Sequence, residues 1–198
     1  MPTKVDQRER TRAEILRIAT RRFAEEGYAD VALEGLVAEA GLTRGALYHH
    51  FGSKRGVFEA VVESAQAGVA EAVERAASGH DEVVDDFLAG CRAFLEASLS
   101  PAVRRILLVD GPAVLGWDAW RDGDLETSAR LLDVGVGELA DAGVIDRRAL
   151  GTVATMISGA LNEVALANAT ALDPAAGIDE AVDVLRRLLT GLSPSRAK

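Results

Sequence analysis

Apolar residues recur at intervals of three and four along most of the chain, and the recurrence stops where glycine, proline and serine clusters interrupt it. That spacing places them on one side of a helix with 3.6 residues per turn. Ala, Leu, Val, Glu and Arg dominate, aromatics are few and β-branched runs are short, a balance that favours helix over strand. The chain is therefore expected to be all-α. With 198 residues it fits one large domain or two small ones.

The punctuation predicts about nine helices. Ile15, Leu16, Ala19 and Phe23 form one face of a first helix over about 8–26, which Gly27 ends. A short second helix covers about 33–40, with Leu33, Leu36 and Val37 turned inward, and Gly41 follows it. Thr43 is a good N-cap for a third short helix over about 44–50. Gly52-Ser53 breaks the chain, and Ser53 can cap a long fourth helix over about 54–77. A turn at 78–81 leads to a fifth helix, which ends near Ser98 and carries Phe87, Leu88, Cys91, Phe94 and Leu95 on its apolar side. Pro101 opens a sixth, ending near Val109, and Asp110-Gly111-Pro112 reads as a break in which Asp110 caps the next helix at Pro112, a ligand or cation contact being the alternative. That seventh helix runs through Trp117 and Trp120 to about Ala142, with an interruption at Gly123 left open. Two plain helices follow, about 148–171 and 178–191, before Gly191, Pro194 and a frayed tail over Ser193–Lys198.

Charge is distributed unevenly. The net charge is −9, yet residues 1–56 hold ten Lys/Arg against eight Asp/Glu, a balance of +2, and the remainder holds 12 against 23, a balance of −11. A phosphate responds to the local field, which decays over a Debye length of roughly 8–10 Å, so the first quarter of the chain can meet nucleic acid. A single cysteine, Cys91, excludes an internal disulfide and suits a reducing cytoplasm. The N-terminal residues have no signal-peptide character and no run of about 18 apolar residues occurs, so neither secretion nor a membrane partner is expected. No phosphate-cradling glycine loop, metal-ligand spacing or Gly-x-Ser-x-Gly elbow is present, and an enzyme, a metal or a cofactor is not expected. The adjacent His49 and His50 point about 100° apart on a helix and do not form a ligand pair.

The informative stretch runs from Glu34 to Lys54. It is two short helices joined by a tight glycine turn, the layout of a helix-turn-helix at about 32–51. Leu36, Val37, Ala40, Leu42 and Leu47 can supply the helix crossing, and Gly41 the turn. Thr43, Arg44, Gly45, Tyr48 and His49 are left to face outward. Arg44 stands at the N-terminal end of the second helix, where side chains reach base edges and arginine pairs bidentately with guanine. Gly45 adds no bulk, Tyr48 and His49 can meet phosphate or a thymine methyl, and Thr43 and Lys54 can hold the phosphate backbone.

Gly41-Leu-Thr-Arg-Gly-Ala-Leu-Tyr-His-His-Phe-Gly-Ser-Lys54 closely resembles the recognition-helix signature of the tetracycline-repressor (TetR) family, and Ala19–Tyr28 in the leading helix matches as well. The resemblance implies an N-terminal three-helix DNA-binding domain, 1–53, on a C-terminal ligand-binding and dimerisation domain, 54–198. It implies a homodimer on a palindromic double-stranded operator, released by a small effector, in a bacterial cytoplasm. The family usually opens its second helix with Ser or Thr; this chain has Val31-Ala32 there, so a cap is missing. Pro101–Trp117 resembles one subgroup of the family, and 148–171 with 178–191 resembles its dimerising four-helix bundle.

On that frame Phe87, Cys91, Phe94, Leu107, Leu115, Trp117, Trp120 and Met156 are candidate walls of an effector cavity. Few charges lie along those faces, which points to an apolar or amphipathic effector. Asn162 and Glu163 interrupt an apolar helix and suit either the dimer interface or an effector contact. An effector-independent or architectural DNA-binding protein, with its cavity filled by side chains, is the alternative.

Overall fold

The computed structural model describes residues 4–191, so the expectations for Pro194 and Ser193–Lys198 lie outside the described residues. The described residues form ten helices and no strand: α1 (Lys4–Glu26), α2 (Leu33–Glu39), α3 (Arg44–Phe51), α4 (Lys54–Ala76), α5 (Val83–Ser98), α6 (101–115), α7 (Trp117–Leu125), α8 (Ser128–Asp141), α9 (Leu150–Asn168) and α10 (Pro174–Gly191). They fall into two compact units that do not follow chain order. The first comprises the residues up to Ala65 with Pro101–Arg121; the second comprises Gln66–Ser100 with the residues from Asp122 onward.

In the first unit the core is built from the apolar faces of α1 to α4. Ile15, Ile18, Phe23, Leu36, Leu47, Val57 and Phe58 are all shielded from solvent. Burying each such side chain contributes roughly 1.5–3 kcal/mol. Phe23 meets Phe58 edge-on at 5.1 Å and Tyr28 lies 5.0 Å from Phe58, so three rings lock α1 to α4. The helix ends follow local chemistry. Gly27 and Gly41 take φ of 86° and 62°, the left-handed conformation that a C-terminal stop needs. The Thr43 hydroxyl accepts the Ala46 N–H at 3.2 Å and that of Ser53 the Gly56 N–H at 2.9 Å. Ala32 adopts the extended backbone of an N-cap but supplies no side-chain bond, so α2 opens uncapped.

The break expected at Asp110-Gly111-Pro112 does not occur. α6 runs through it as an α turn (Pro101–Val103), a π segment (Arg104–Asp110) and a second α stretch (Gly111–Leu115). Proline has no N–H and its ring collides with the carbonyl four residues back in a regular helix. The π segment widens the register just ahead of it, with the Gly111 N–H reaching the Ile106 carbonyl five residues back. Asp110 makes no cap bond to the helix that follows. The interruptions of the predicted seventh helix fall at Gly116, with φ of 83°, and at 126–127, rather than at Gly123.

In the second unit α5 packs against α8, α9 and α10, and α9 against α8 and α10. Leu88, Leu95, Val136, Leu139, Ile178 and Leu189 form its core. Arg92–Asp179 at 2.6 Å and Arg186–Asp85 at 2.7 Å tie α5 to α10 from outside. α10 starts four residues before the expected 178, because Pro174 suits a first turn and the Asp173 carboxylate accepts the Ala176 N–H at 3.1 Å. The helical segment Arg147–Asn168 is long and apolar enough by composition to cross a membrane, and only 28 % of its most apolar window is buried within the chain. Met156 and Leu166 on α9, with Val184 and Leu188 on α10, stand exposed.

Candidate nucleic-acid interface and internal cavity

α3 buries Leu47 and exposes Thr43, Arg44, Gly45, Tyr48 and His49, so the five residues read as outward-facing do share one open surface. The Arg44 guanidinium donates to the Tyr48 hydroxyl at 3.3 Å and lies 3.2 Å from the Glu34 carboxylate at the start of α2. Those partners raise its already high pKa, the Tyr48 hydrogen bond first, and hold the side chain across the face of the helix. At Gly45 an added Cβ would find only Thr43 Oγ1, at 4.0 Å, so nothing inside the protein demands glycine there. His50 is half-buried, and its pKa is held below the usual histidine value by burial and then by Arg8, His49 and Arg12. Lys54 donates to the Ala29 carbonyl at 3.1 Å and its ammonium sits 4.5 Å from the centre of the Tyr28 ring. An ammonium has three N–H groups, so it retains donors for an outside acceptor. Arg8 and Arg10, two of the ten basic residues of the first quarter, are exposed on α1 without an ion pair among the described residues.

A second set of residues, not singled out in the sequence, fastens α6 to α1, the loop after it and α4 within the first unit. Arg105 donates to the carbonyls of Glu25 at 3.2 Å and Glu26 at 3.1 Å, two of the acceptors left open at the C-terminus of α1. Gly27 leaves room for that guanidinium, which a Cβ would overlap. Asp110 accepts the Tyr28 backbone N–H at 2.9 Å, and Arg55 donates to the carbonyls of Val114 at 3.3 Å and Leu115 at 3.2 Å. These are side chains reaching backbone groups 59 to 82 residues away, which leave no local pattern in the sequence.

The second unit contains a cavity of about 280 Å³ between α4, α5, α8 and α9. Phe87, Cys91 and Phe94 line it, as expected. Leu107, Leu115, Trp117 and Trp120 do not: they belong to the first unit, where Trp120 packs over Gly111 and Trp117 is 64 % exposed. Met156 does not line it either, being 69 % exposed on α9. Apolar spacing marks a helix face but not which body it packs into. Asn162 lines the cavity and Glu163 does not, so that polar pair divides between two surroundings. Burial pushes the Cys91 thiol up to about 12, which keeps it protonated. The lining also carries four carboxylates, from Glu74, Asp86, Asp124 and Glu138, which corrects the expectation that charge is scarce there. They sit on α4, α5, α7 and α8 at positions flanking the apolar stripes from which that expectation was read.

Residues 15–61 match the profile of bacterial regulatory proteins of the tetR family, and residues 84–192 match that of the tetracyclin repressor-like C-terminal domain. The chain belongs to the TetR family. A TetR-family transcriptional regulator from Pectobacterium atrosepticum shares 36 % identity over 98 % of this chain and 99 % of that one, with a TM-score of 0.78. The transcriptional repressor AcnR of Corynebacterium diphtheriae is 42 % identical over 78 residues, which are 39 % of this chain and 40 % of the relative. The transcriptional regulator TtgR of Pseudomonas putida is 35 % identical over 107 residues, 51 % of this chain and 49 % of the relative. The chain thus spans half or less of the length of these curated relatives. As a member of the TetR family it is a DNA-binding helix-turn-helix transcription regulator and not an enzyme, with a C-terminal ligand-binding and dimerisation domain.

Proposed function

We propose that this TetR-family chain is a homodimeric cytoplasmic repressor that reads a palindromic operator with the open face of α3 and leaves it when a small effector fills the cavity of the second unit. The observation that carries this reading is the shared exposure of Thr43, Arg44, Gly45, Tyr48 and His49 around the single buried Leu47. Arg44 supplies the base contact, Gly45 lets the backbone approach the groove, and Tyr48 and His49 extend the reading face. Thr43, Lys54, Arg8 and Arg10 supply phosphate contacts that position the helix without reading sequence.

The exposed Met156, Leu166, Val184 and Leu188 support dimerisation through 150–168 and 174–191, since a second copy would cover apolar surface that the chain itself leaves open. A symmetric dimer places two recognition helices in successive major grooves about 34–36 Å apart. An open cavity of about 280 Å³ favours an effector over an effector-independent regulator, whose cavity would be filled by its own side chains. A ligand that prefers one spacing of the recognition helices shifts the population toward it. Selection from a random duplex library, followed by scattering-based mass of the complex, tests the reading. Enrichment of an inverted repeat bound by two chains agrees with it; enrichment of no sequence, or one chain per site, overturns it.

A further inference from the structure

Acidic side chains line the cavity, and among the described residues no basic side chain does. Four of its lining residues are carboxylic acids, and none is Lys, Arg or His. Asp86 is held ionised by His80, whose backbone N–H and ring nitrogen lie 3.0 Å and 2.7 Å from its carboxylate. Glu74 on α4 and Glu138 on α8 approach the cavity from two different helices, and neither has a hydrogen bond or ion pair among the described residues. Phe87, which is buried, and Phe94 also line it.

We infer that the effector is a cation on an apolar body, an organic amine or quaternary ammonium compound. The inference rests on the reading of this cavity as the effector site. The argument is electrostatic. An organic anion entering here meets the Glu74 and Glu138 carboxylates, and no basic side chain lines the cavity to offset those two. A neutral ligand of the same shape gains the apolar contacts but leaves Glu74 and Glu138 with less water around them and no partner. A cation gains the same apolar contacts, neutralises those two carboxylates and finds the negative faces of the two phenylalanine rings. Two exposed carboxylates together favour the cation by about five- to tenfold over an uncharged isostere.

Isothermal titration calorimetry on the full chain tests this with matched probes: 4-phenylbutyl and octyl bodies, each ending in trimethylammonium, hydroxyl or carboxylate, below their micelle concentrations. The expected order is ammonium, then alcohol about five- to tenfold weaker, then carboxylate weakest. In the Glu74→Gln/Glu138→Gln variant the ammonium and alcohol probes should bind alike, with each single change removing part of the ammonium advantage and alcohol binding unchanged. Equal binding of all three head groups, or preference for the carboxylate, overturns the charge inference while leaving the effector cavity standing. An ammonium preference that survives the double variant places the cation elsewhere and overturns it too. No binding by any of the six probes to either protein overturns the effector reading on which it rests.

Discussion

Replacing Asp110 with alanine removes the acceptor that the first unit places on the start of its α1–α2 loop. The Asp110 side chain is only 19 % exposed, and its carboxylate accepts the Tyr28 N–H at 2.9 Å while Arg105 Nε lies 3.9 Å away. A hydrogen bond to a charged group is worth about 1.5–3 kcal/mol, and the part-buried Tyr28 amide would be left without its partner. The Arg105 pair is long and its cation is 41 % exposed, so it adds no more than about 0.5 kcal/mol. Together these give a loss of about 1.5–3 kcal/mol. With a urea m-value of about 2 kcal/mol/M, the unfolding midpoint falls by about 1 M. Both tryptophans, Trp117 and Trp120, belong to the first unit, so their fluorescence reports the transition concerned. Asp110→Asn keeps an uncharged acceptor and should cost about half as much. Hydrogen exchange at the Tyr28 amide gives the local readout, with protection lost in Asp110→Ala. An Asp110→Ala protein with the wild-type midpoint and a still-protected Tyr28 amide would refute the reasoning.

Other perturbations follow from the same geometry. Ala32 already has the backbone of an N-cap, with φ of −85° and ψ of 135°, so Ala32→Ser should add the missing cap bond and raise stability by about 0.5–1 kcal/mol, measured by urea unfolding. The folded pKa of His50 is depressed below its ordinary value of 6.5, so the unfolded chain takes up the proton first. The contribution of His50 to stability is therefore complete above about pH 6.5, declines as the pH falls through that value, and levels off below the folded pKa. Unfolding midpoints at pH 7.5 and pH 5 should differ less in His50→Gln than in the wild type. With its pKa at about 12, Cys91 has about 10⁻⁴ of its thiol ionised at pH 8. It should react slowly with a disulfide reagent, through that small thiolate fraction, and prompt reaction of the folded protein would contradict a thiol pKa raised by burial.

Much of the fold is legible in the sequence because helix periodicity and helix ends are local. Thr43, Ser53, Gly27 and Gly41 act within a few residues of the helices they start or stop, and the boundaries of α2 and α3 fall close to where those residues put them. The reading face of α3 is legible for the same reason: one buried Leu47 fixes which residues of an eight-residue helix point away. What was illegible is non-local. The π segment lets α6 pass through Pro112, and a widened register has no residue signature of its own. Leu107, Leu115, Trp117 and Trp120 carry the apolar spacing of cavity walls, yet they lie in the unit that holds the DNA-binding helices. Glu34 beside Arg44, Asp110 on Tyr28 and the carboxylates around the cavity depend on how helices are set against one another.

The central claim is that Arg44 reads sequence while the surrounding cations only hold the backbone. Fluorescence anisotropy at one fixed salt concentration, on the selected palindrome and on a copy with its guanines changed, tests it most directly. Arg44→Ala should lose about 1–3 kcal/mol on the palindrome, roughly 5- to 150-fold in affinity, and lose its preference over the changed site. Lys54→Ala and Arg8→Ala should weaken both duplexes alike and flatten the salt dependence. An Arg44→Ala protein that keeps wild-type affinity and wild-type preference would contradict the account.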